Sequence, residues 1–157
     1  MTKEALLQQI IAILADDLAV LDRAARAAHH AATHEECMPD NKYDTTALEA
    51  SYVAQGQANR AQEIRSALEV YRSLVLRAFG ENEPIRLTAL VTLEDGDGTE
   101  RRFFLGPVAG GLKIADGEDE VVVITPHSPL GSALLGKMTD DQVESGTGKS
   151  LTVVAVQ

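Results

Sequence analysis

The residues most able to do chemistry gather in one stretch of the chain. Glu35, Glu36, Asp40 and Asp44 stand close together, with Cys37 and Pro39 among them and Asn41, Lys42 and Tyr43 completing the run. Acids clustered at an exposed apex signal function, whereas solvated acids and a carboxylate favouring a helix N-terminus are the plain alternative. Just before them, His29, His30, His34 and Cys37 have spacings that suit zinc at a helix end. No second cluster closes a four-ligand site, so solvated or capping histidines are the reading and no metal is expected in the isolated protein. Gly146-Thr147-Gly148-Lys149-Ser150 looks like the end of a phosphate-binding loop, but the full motif needs a glycine where Val143 stands. A strand is expected after it rather than a helix, so it reads as a hairpin turn. His127 has neither a nucleophile nor an acid in a recognisable triad and reads as a loop residue.

Two long apolar series position the acidic stretch. Leu7, Ile11, Leu14, Leu18, Leu21, Ala25, Ala28 and Ala32 alternate steps of four and three. Ala50, Ala54, Gln57, Ala61, Ile64, Leu68, Tyr71, Val75 and Ala78 do the same on the way back. That spacing is a coiled-coil seam. Folded about position 41, the series pair Leu7 with Val75, Ile11 with Tyr71, Leu14 with Leu68 and Leu18 with Ile64. The expected structure is an antiparallel hairpin over 1–79 with its acidic tip at 35–44, about 50 Å from the base at the rise of an α-helix. A long arm presenting acid is a device for reaching into something. The first helix should run from Lys3 to His34. The second should open near Thr45 or Thr46, where Thr46-Ala47-Leu48-Glu49 forms a capping box, and run to about Ala78. The alanines near the tip predict close helix approach and a slim end.

Phe79-Gly80-Glu81-Asn82-Glu83-Pro84 breaks the helical pattern, so 80–84 reads as a linker. Strands are expected at 85–93, 99–105 and 120–125, with Glu94-Asp95-Gly96-Asp97-Gly98 turning the first hairpin. Ser128 and Pro129 open a short helix through Leu130–Leu135, and Gly136 ends it. Short strands at 142–144 and 151–156 complete an antiparallel sheet of about five strands over 85–157. The fold class is α+β.

Composition narrows the function classes. The chain has 157 residues, one cysteine, no tryptophan and a formal net charge of −10. Residues 1–79 carry 8 basic and 11 acidic side chains, and residues 80–157 carry 6 and 13. Neither half is built to grip duplex DNA by its phosphates, so independent DNA binding is not expected. Asp16 and Asp17 interrupt the apolar start, and no run reaches the length of a membrane span. A lone cysteine fits a reducing compartment. The expectation is a soluble, cytoplasmic monomer.

The segment Ile124-Thr125-Pro126-His127-Ser128-Pro129-Leu130-Gly131-Ser132-Ala133-Leu134-Leu135-Gly136-Lys137 resembles the C-terminal signature of the GreA/GreB transcript-cleavage factors. Every fixed position of the pattern SPLGxALLGK is matched, and Gly106-Pro107 and Gly111 are similar to the same domain. The resemblance implies an FKBP-like C-terminal domain that docks at the secondary-channel entrance of bacterial RNA polymerase, with Ser128, Pro129, Leu130, Gly131, Gly136 and Lys137 as its partner-binding segment. It implies a coiled coil that passes down the channel. Tip carboxylates would there help hold a magnesium ion shared with the polymerase active centre and promote cleavage of backtracked RNA, with no cofactor bound stably by the factor itself. A carboxylate tip suits that task, because hard oxygen ligands complete a two-metal site that activates water. Asp40 and Asp44, with Glu36, are the candidate pair and its helper.

The chain departs from the family at the tip. Gre tips carry a motif like GDLxENAEY; anchoring its tyrosine on Tyr52 puts a glutamate position at Leu48 and its aspartate at Thr45. Two variants of one function therefore stand side by side, a cleavage-assisting factor and a channel-binding regulator that does not cleave. A generic interaction module is the alternative from another class. An FKBP-type prolyl isomerase needs an aromatic pocket, and the domain offers only Phe103 and Phe104. No complete catalytic set is present, so the chain reads as a regulator and not an enzyme. Within the short helix, Leu130, Leu134 and Leu135 are expected to be core.

Overall fold

The computed structural model describes residues 1–34 and 44–157, and their side chains except at 31–34 and 44–47. The chain divides into two compact units, Met1–Ile10 with Ser73–Gln157, and Ile11–Arg72. The architecture is α+β, as the residue patterns predict: two long helices, then a six-stranded sheet carrying one short helix.

The helical unit is built from α1 (Lys3–His34), beginning at Ile11, and α2 (Asp44–Arg72). Its interior is Leu14, Ala61, Ile64, Ala67, Leu68 and Tyr71. An Arg65–Asp22 ion pair at 3.1 Å joins the two helices beside it. Leu18 and Leu21 are half-buried. Beyond them the expected seam stops: Arg23–His30 and Leu48–Arg60 are all exposed, including Ala25, Ala28, Ala50 and Ala54. The slim, close-packed end is therefore not found among the described residues. An alanine buries one methyl, worth about 0.8 kcal/mol, whereas a Leu or Ile buries enough surface for about 1.5–3 kcal/mol. The helices are held where the large side chains are.

Two further details of the helices differ from expectation. On α1 the fully buried line is Leu6, Ile10 and Leu14, with Leu7 and Ile11 only half-buried. Apolar residues at 6, 7, 10, 11, 13 and 14 make a stripe wider than a seam, and its middle lies one position from the predicted one. On α2 the helix ends at Arg72, not near Ala78. Residues 73–79 belong instead to the first unit. There the Arg77 N–H donates to Thr88 Oγ1 at 3.0 Å, and the Lys3 ammonium donates to the carbonyls of Arg77 and Gln157 while lying 4.8 Å from the Phe79 ring centroid. Burial lowers the Lys3 pKa from its usual value.

The sheet comprises β1 (Leu90–Glu94), β2 (Glu100–Leu105), β3 (Lys113–Asp116), β4 (Asp119–Ile124), β5 (Gln142–Glu144) and β6 (Ser150–Val156). Its order is β3-β4-β2-β1-β6-β5. Four neighbouring pairs are antiparallel, but β2 and β4 run parallel, with Phe103 opposite Val122 and Leu105 opposite Ile124. The mixed, six-stranded sheet corrects the expected five antiparallel strands. The missed strand, β3, explains the parallel pair. The glycine-rich loop 106–112 reverses the chain and leaves a gap one strand wide, which β4 fills after the Gly117 turn. Gly111 at φ +91° and Ala109 at φ +62° make that reversal, and the Gly111 N–H donates to the Val123 carbonyl at 2.7 Å.

The first strand is also shorter than the predicted 85–93. Thr88 is buried at φ +75°, and Ile85 exchanges backbone hydrogen bonds with Gly136 and Lys137 at 2.9 and 2.8 Å instead of a strand neighbour. Alternation buries the sheet on both faces. Val91, Leu93, Phe103, Leu105, Ile124 and Val153 form one core with Leu134 and Val143. Leu90, Phe104, Val121 and Val123 fill the other face, all buried.

Candidate functional site

The short helix α3 (Pro129–Leu134) is where the decapeptide signature lies, and several of its fixed residues have an identifiable physical task. Ser128 is the N-cap: its Oγ accepts from the Gly131 N–H at 3.0 Å and donates to the Thr125 carbonyl at 2.8 Å. Pro129 occupies the first turn, where a missing N–H costs nothing. Gly131 is buried, and a Cβ there would lie 1.9 Å from the Thr125 carbonyl oxygen, so no other residue fits. Leu134 is fully buried and Leu130 packs at the edge of the same core. Gly136 has φ +82°, which a side chain rarely adopts, and lets the chain turn so that its N–H reaches the Ile85 carbonyl. The Lys137 carbonyl accepts from Ile85.

Leu135 departs from expectation. It is the C-cap of α3 and is exposed at 41%, so only Leu130 and Leu134 of the three leucines serve the core. Six residues from Pro129 to Leu134 make fewer than two helical turns, too few to bury two adjacent leucines. The exposed residues of α3 and its immediate flanks are His127, Pro129, Ser132, Leu135 and Gly136.

The tip candidates fall differently. Glu35, Glu36 and Asp40 lie outside the described residues, as do Cys37 and Pro39. Asp44 opens α2, and its side chain is not among those described. Leu48 and Tyr52, which mark the altered tip motif, are both exposed, at 55% and 71%. No group of three or more metal-ligating side chains occurs among the described residues. His29 and His30 are exposed on α1.

The glycine run at 146–150 is a hairpin turn between β5 and β6. The Ser145 N–H donates to the Lys149 carbonyl at 2.8 Å, Gly148 sits at φ +82°, and β6 follows directly. No helix of the described residues is long and apolar enough to cross a membrane. Residues of the acidic β3–β4 hairpin join three ion pairs among the described residues: Arg102 with Asp116 at 2.5 Å, Lys113 with Glu120 at 3.7 Å, and the N-terminal ammonium with Asp116 at 3.8 Å. Hydrogen bonding to that guanidinium holds the Asp116 carboxyl below the usual carboxylate range.

No family model matches the chain, and no curated protein matches it. Solved structures do. GreA factor homolog 1 (Gfh1) of Thermus thermophilus is 23% identical over 96% of this chain and 92% of its own, with a TM-score of 0.39. Gfh1 of Thermus aquaticus is 24% identical over 92% and 91%, with a TM-score of 0.37. The elongation factor GreA/GreB from Nitrosomonas europaea is 23% identical over 59% of this chain and 78% of its own, with a TM-score of 0.35. The structural neighbours are thus Gfh1 and GreA/GreB factors, at identities and scores that carry no functional argument of their own.

Proposed function

We propose that this chain is a regulator of bacterial RNA polymerase of the Gre type. Its β-rich domain docks at the entrance of the secondary channel, and its helical hairpin enters the channel tip first. One observation carries the reading: the unbroken match of Ser128–Lys137 to the Gre C-terminal pattern, behind two long helices joined by an acidic stretch. A bare helix cap does not require that whole pattern. Capping explains Ser128 and Pro129, and close packing explains Gly131.

Within this reading, Asp40 and Asp44, with Glu36, are the acids available to the polymerase's catalytic magnesium. Carboxylate oxygens are the ligands that this hard cation prefers, and their chemistry would be to help activate water against the RNA phosphodiester. The second form of the function, a channel-binding regulator that does not cleave, is favoured by Thr45 and Leu48. These residues replace the family's acids, and Leu48 presents an exposed apolar side chain instead.

Stalled, backtracked bacterial transcription complexes discriminate the two. Shortened RNA on addition of the protein supports cleavage assistance, and the double variant Asp40→Asn with Asp44→Asn should then abolish shortening while polymerase binding persists. RNA of unchanged length, together with displacement of a cleavage-competent factor, supports the non-cleaving form.

A further inference from the structure

We infer that Ser73–Phe79 is a strap with two forms, the non-helical one of this structure and a continuation of α2, and that Thr88 and Lys3 hold it in the first. The inference stands apart from the polymerase reading. Nothing in the strap's own residues ends a helix. Ser73-Leu74-Val75-Leu76-Arg77-Ala78-Phe79 holds neither glycine nor proline, and the first helix-stopping residue after α2 is Gly80. The spacing of three and four that joins Ile64, Leu68, Tyr71, Val75 and Ala78 also runs on through it. Yet α2 stops at Arg72, and 74–80 carries no regular structure.

The clamps come from outside the strap, and both close on Arg77. Its N–H donates to Thr88 Oγ1 at 3.0 Å, and its carbonyl accepts from the Lys3 ammonium. In a helix continued from α2 that N–H would go to the carbonyl of Ser73, so the Thr88 bond and the helical bond compete for one proton. Lys3 also donates to the Gln157 carbonyl at 3.1 Å and lies 4.8 Å from the Phe79 ring centroid, which fixes the far end of the strap. Thr88 is itself held at a cost. The Ala89 N–H donates to the Arg86 carbonyl at 3.1 Å, closing a turn whose third residue is Thr88 at φ +75°. Such a turn calls for glycine, and a β-branched residue at positive φ is strained. What the buried threonine has there and glycine lacks is the hydroxyl oxygen that receives Arg77. Strain kept at one residue to form one bond marks a switchable segment.

The non-helical form buries the strap poorly. None of its seven side chains is buried: Leu74, Leu76 and Phe79 are half-buried, and Val75 is 78% exposed. As a helix the same residues close backbone hydrogen bonds four positions back, add about 10 Å to α2 and return Val75 to the line of Leu68 and Tyr71. Gly80 then stands just past the end, where a helix cap favours it. Each form has what the other lacks, side-chain clamps in one and a backbone ladder in the other. Growth from an existing helix end needs no new nucleus, so release of the clamps is enough. A contact that occupies the Thr88 turn or the Lys3 ammonium therefore tips the strap into the helix, and the length of α2 is set from the sheet-bearing unit.

The test is the Cα chemical shifts and amide hydrogen exchange of 74–79 in the full chain, for the parent, Thr88→Gly, Thr88→Ser and Lys3→Met. Glycine suits the turn at position 88, so the sheet should persist, which unchanged shifts of β1 and β6 confirm. Should Thr88→Gly lose its sheet, Lys3→Met carries the test. The expected result for the parent is non-helical shifts and a slowly exchanging Arg77 amide. Thr88→Gly should move the shifts of 74–79 to helical values. The helices α1, α2 and α3 hold 32, 29 and 6 residues, so seven more should raise helical ellipticity by about a tenth. Lys3→Met should move the shifts the same way, and Thr88→Ser, which keeps the hydroxyl, should match the parent. Parent-like shifts in both Thr88→Gly and Lys3→Met overturn the inference, as do random-coil shifts, which make the segment a plain linker. A change in one of the two alone assigns the clamp to that residue and overturns the role of the other. Helical shifts in Thr88→Ser overturn the role of the hydroxyl. The polymerase reading stands whichever result is found.

Discussion

The sheet-bearing unit and the helical unit use their sequences in opposite ways. Around α3 three residues are constrained individually: Ser128 by two hydrogen bonds, Gly131 by a carbonyl where its side chain would be, Gly136 by its backbone angle. Among the described residues of the helical unit, none is so constrained. Order there depends on side-chain size, strong where Leu14, Ile64, Leu68 and Tyr71 meet and absent from the packing where alanine takes over. A motif built on exclusion and hydrogen bonds tolerates almost no substitution. A helix pair built on burial tolerates many.

The largest expected effect comes from Gly131→Ala. Its Cβ would meet backbone, which has nowhere to move, so a loss of about 3 kcal/mol or more is expected, read as a fall in the midpoint of urea unfolding. Next is Ile64→Ala, which opens a cavity between the helices and should cost about 2–4 kcal/mol in the same measurement. Ala28→Ser in the exposed stretch should cost no more than about 0.5 kcal/mol, and a loss as large as that of Ile64→Ala would show that the far seam is packed after all. Ser128→Ala removes the cap of α3 and should cost about 1 kcal/mol.

The smallest expected effect is a pH dependence. Asp116 has its folded pKa lowered by Arg102, so its contribution is complete above the unfolded value near 4 and disappears as pH falls through the folded one. Asp116→Asn should therefore flatten the acid limb of a stability-versus-pH curve slightly and leave its shape at neutral pH unchanged. A variant curve that loses acid stability as steeply as the parent would remove Asp116 from that role.

The same contrast explains what was legible in the residues before any coordinates. Local signals carried through: the cap at Ser128, the stop at Gly136, the turn at Asp95, whose carboxylate accepts from Asp97 and Thr99, and the hairpin at 146–150. Each depends on neighbours within a few positions. The long-range facts did not. Lys113–Asp116 is four residues with one buried side chain, too short to show alternation, yet it reorders the sheet by forcing β2 beside β4. Beyond the end of α2 at Arg72, the Arg77 N–H is received by Thr88, eleven positions further along the chain. The tip acids Glu36 and Asp40 were readable as a cluster, but they lie outside the described residues.

The function proposed for this chain requires that it bind RNA polymerase. The direct measurement is retention of the intact protein on immobilised bacterial core polymerase, at low and at moderate salt, with a competing Gre factor added in a parallel arm. The expected result is retention at both salt concentrations and its loss when the competitor saturates the channel. No retention at either salt concentration would contradict the polymerase reading outright.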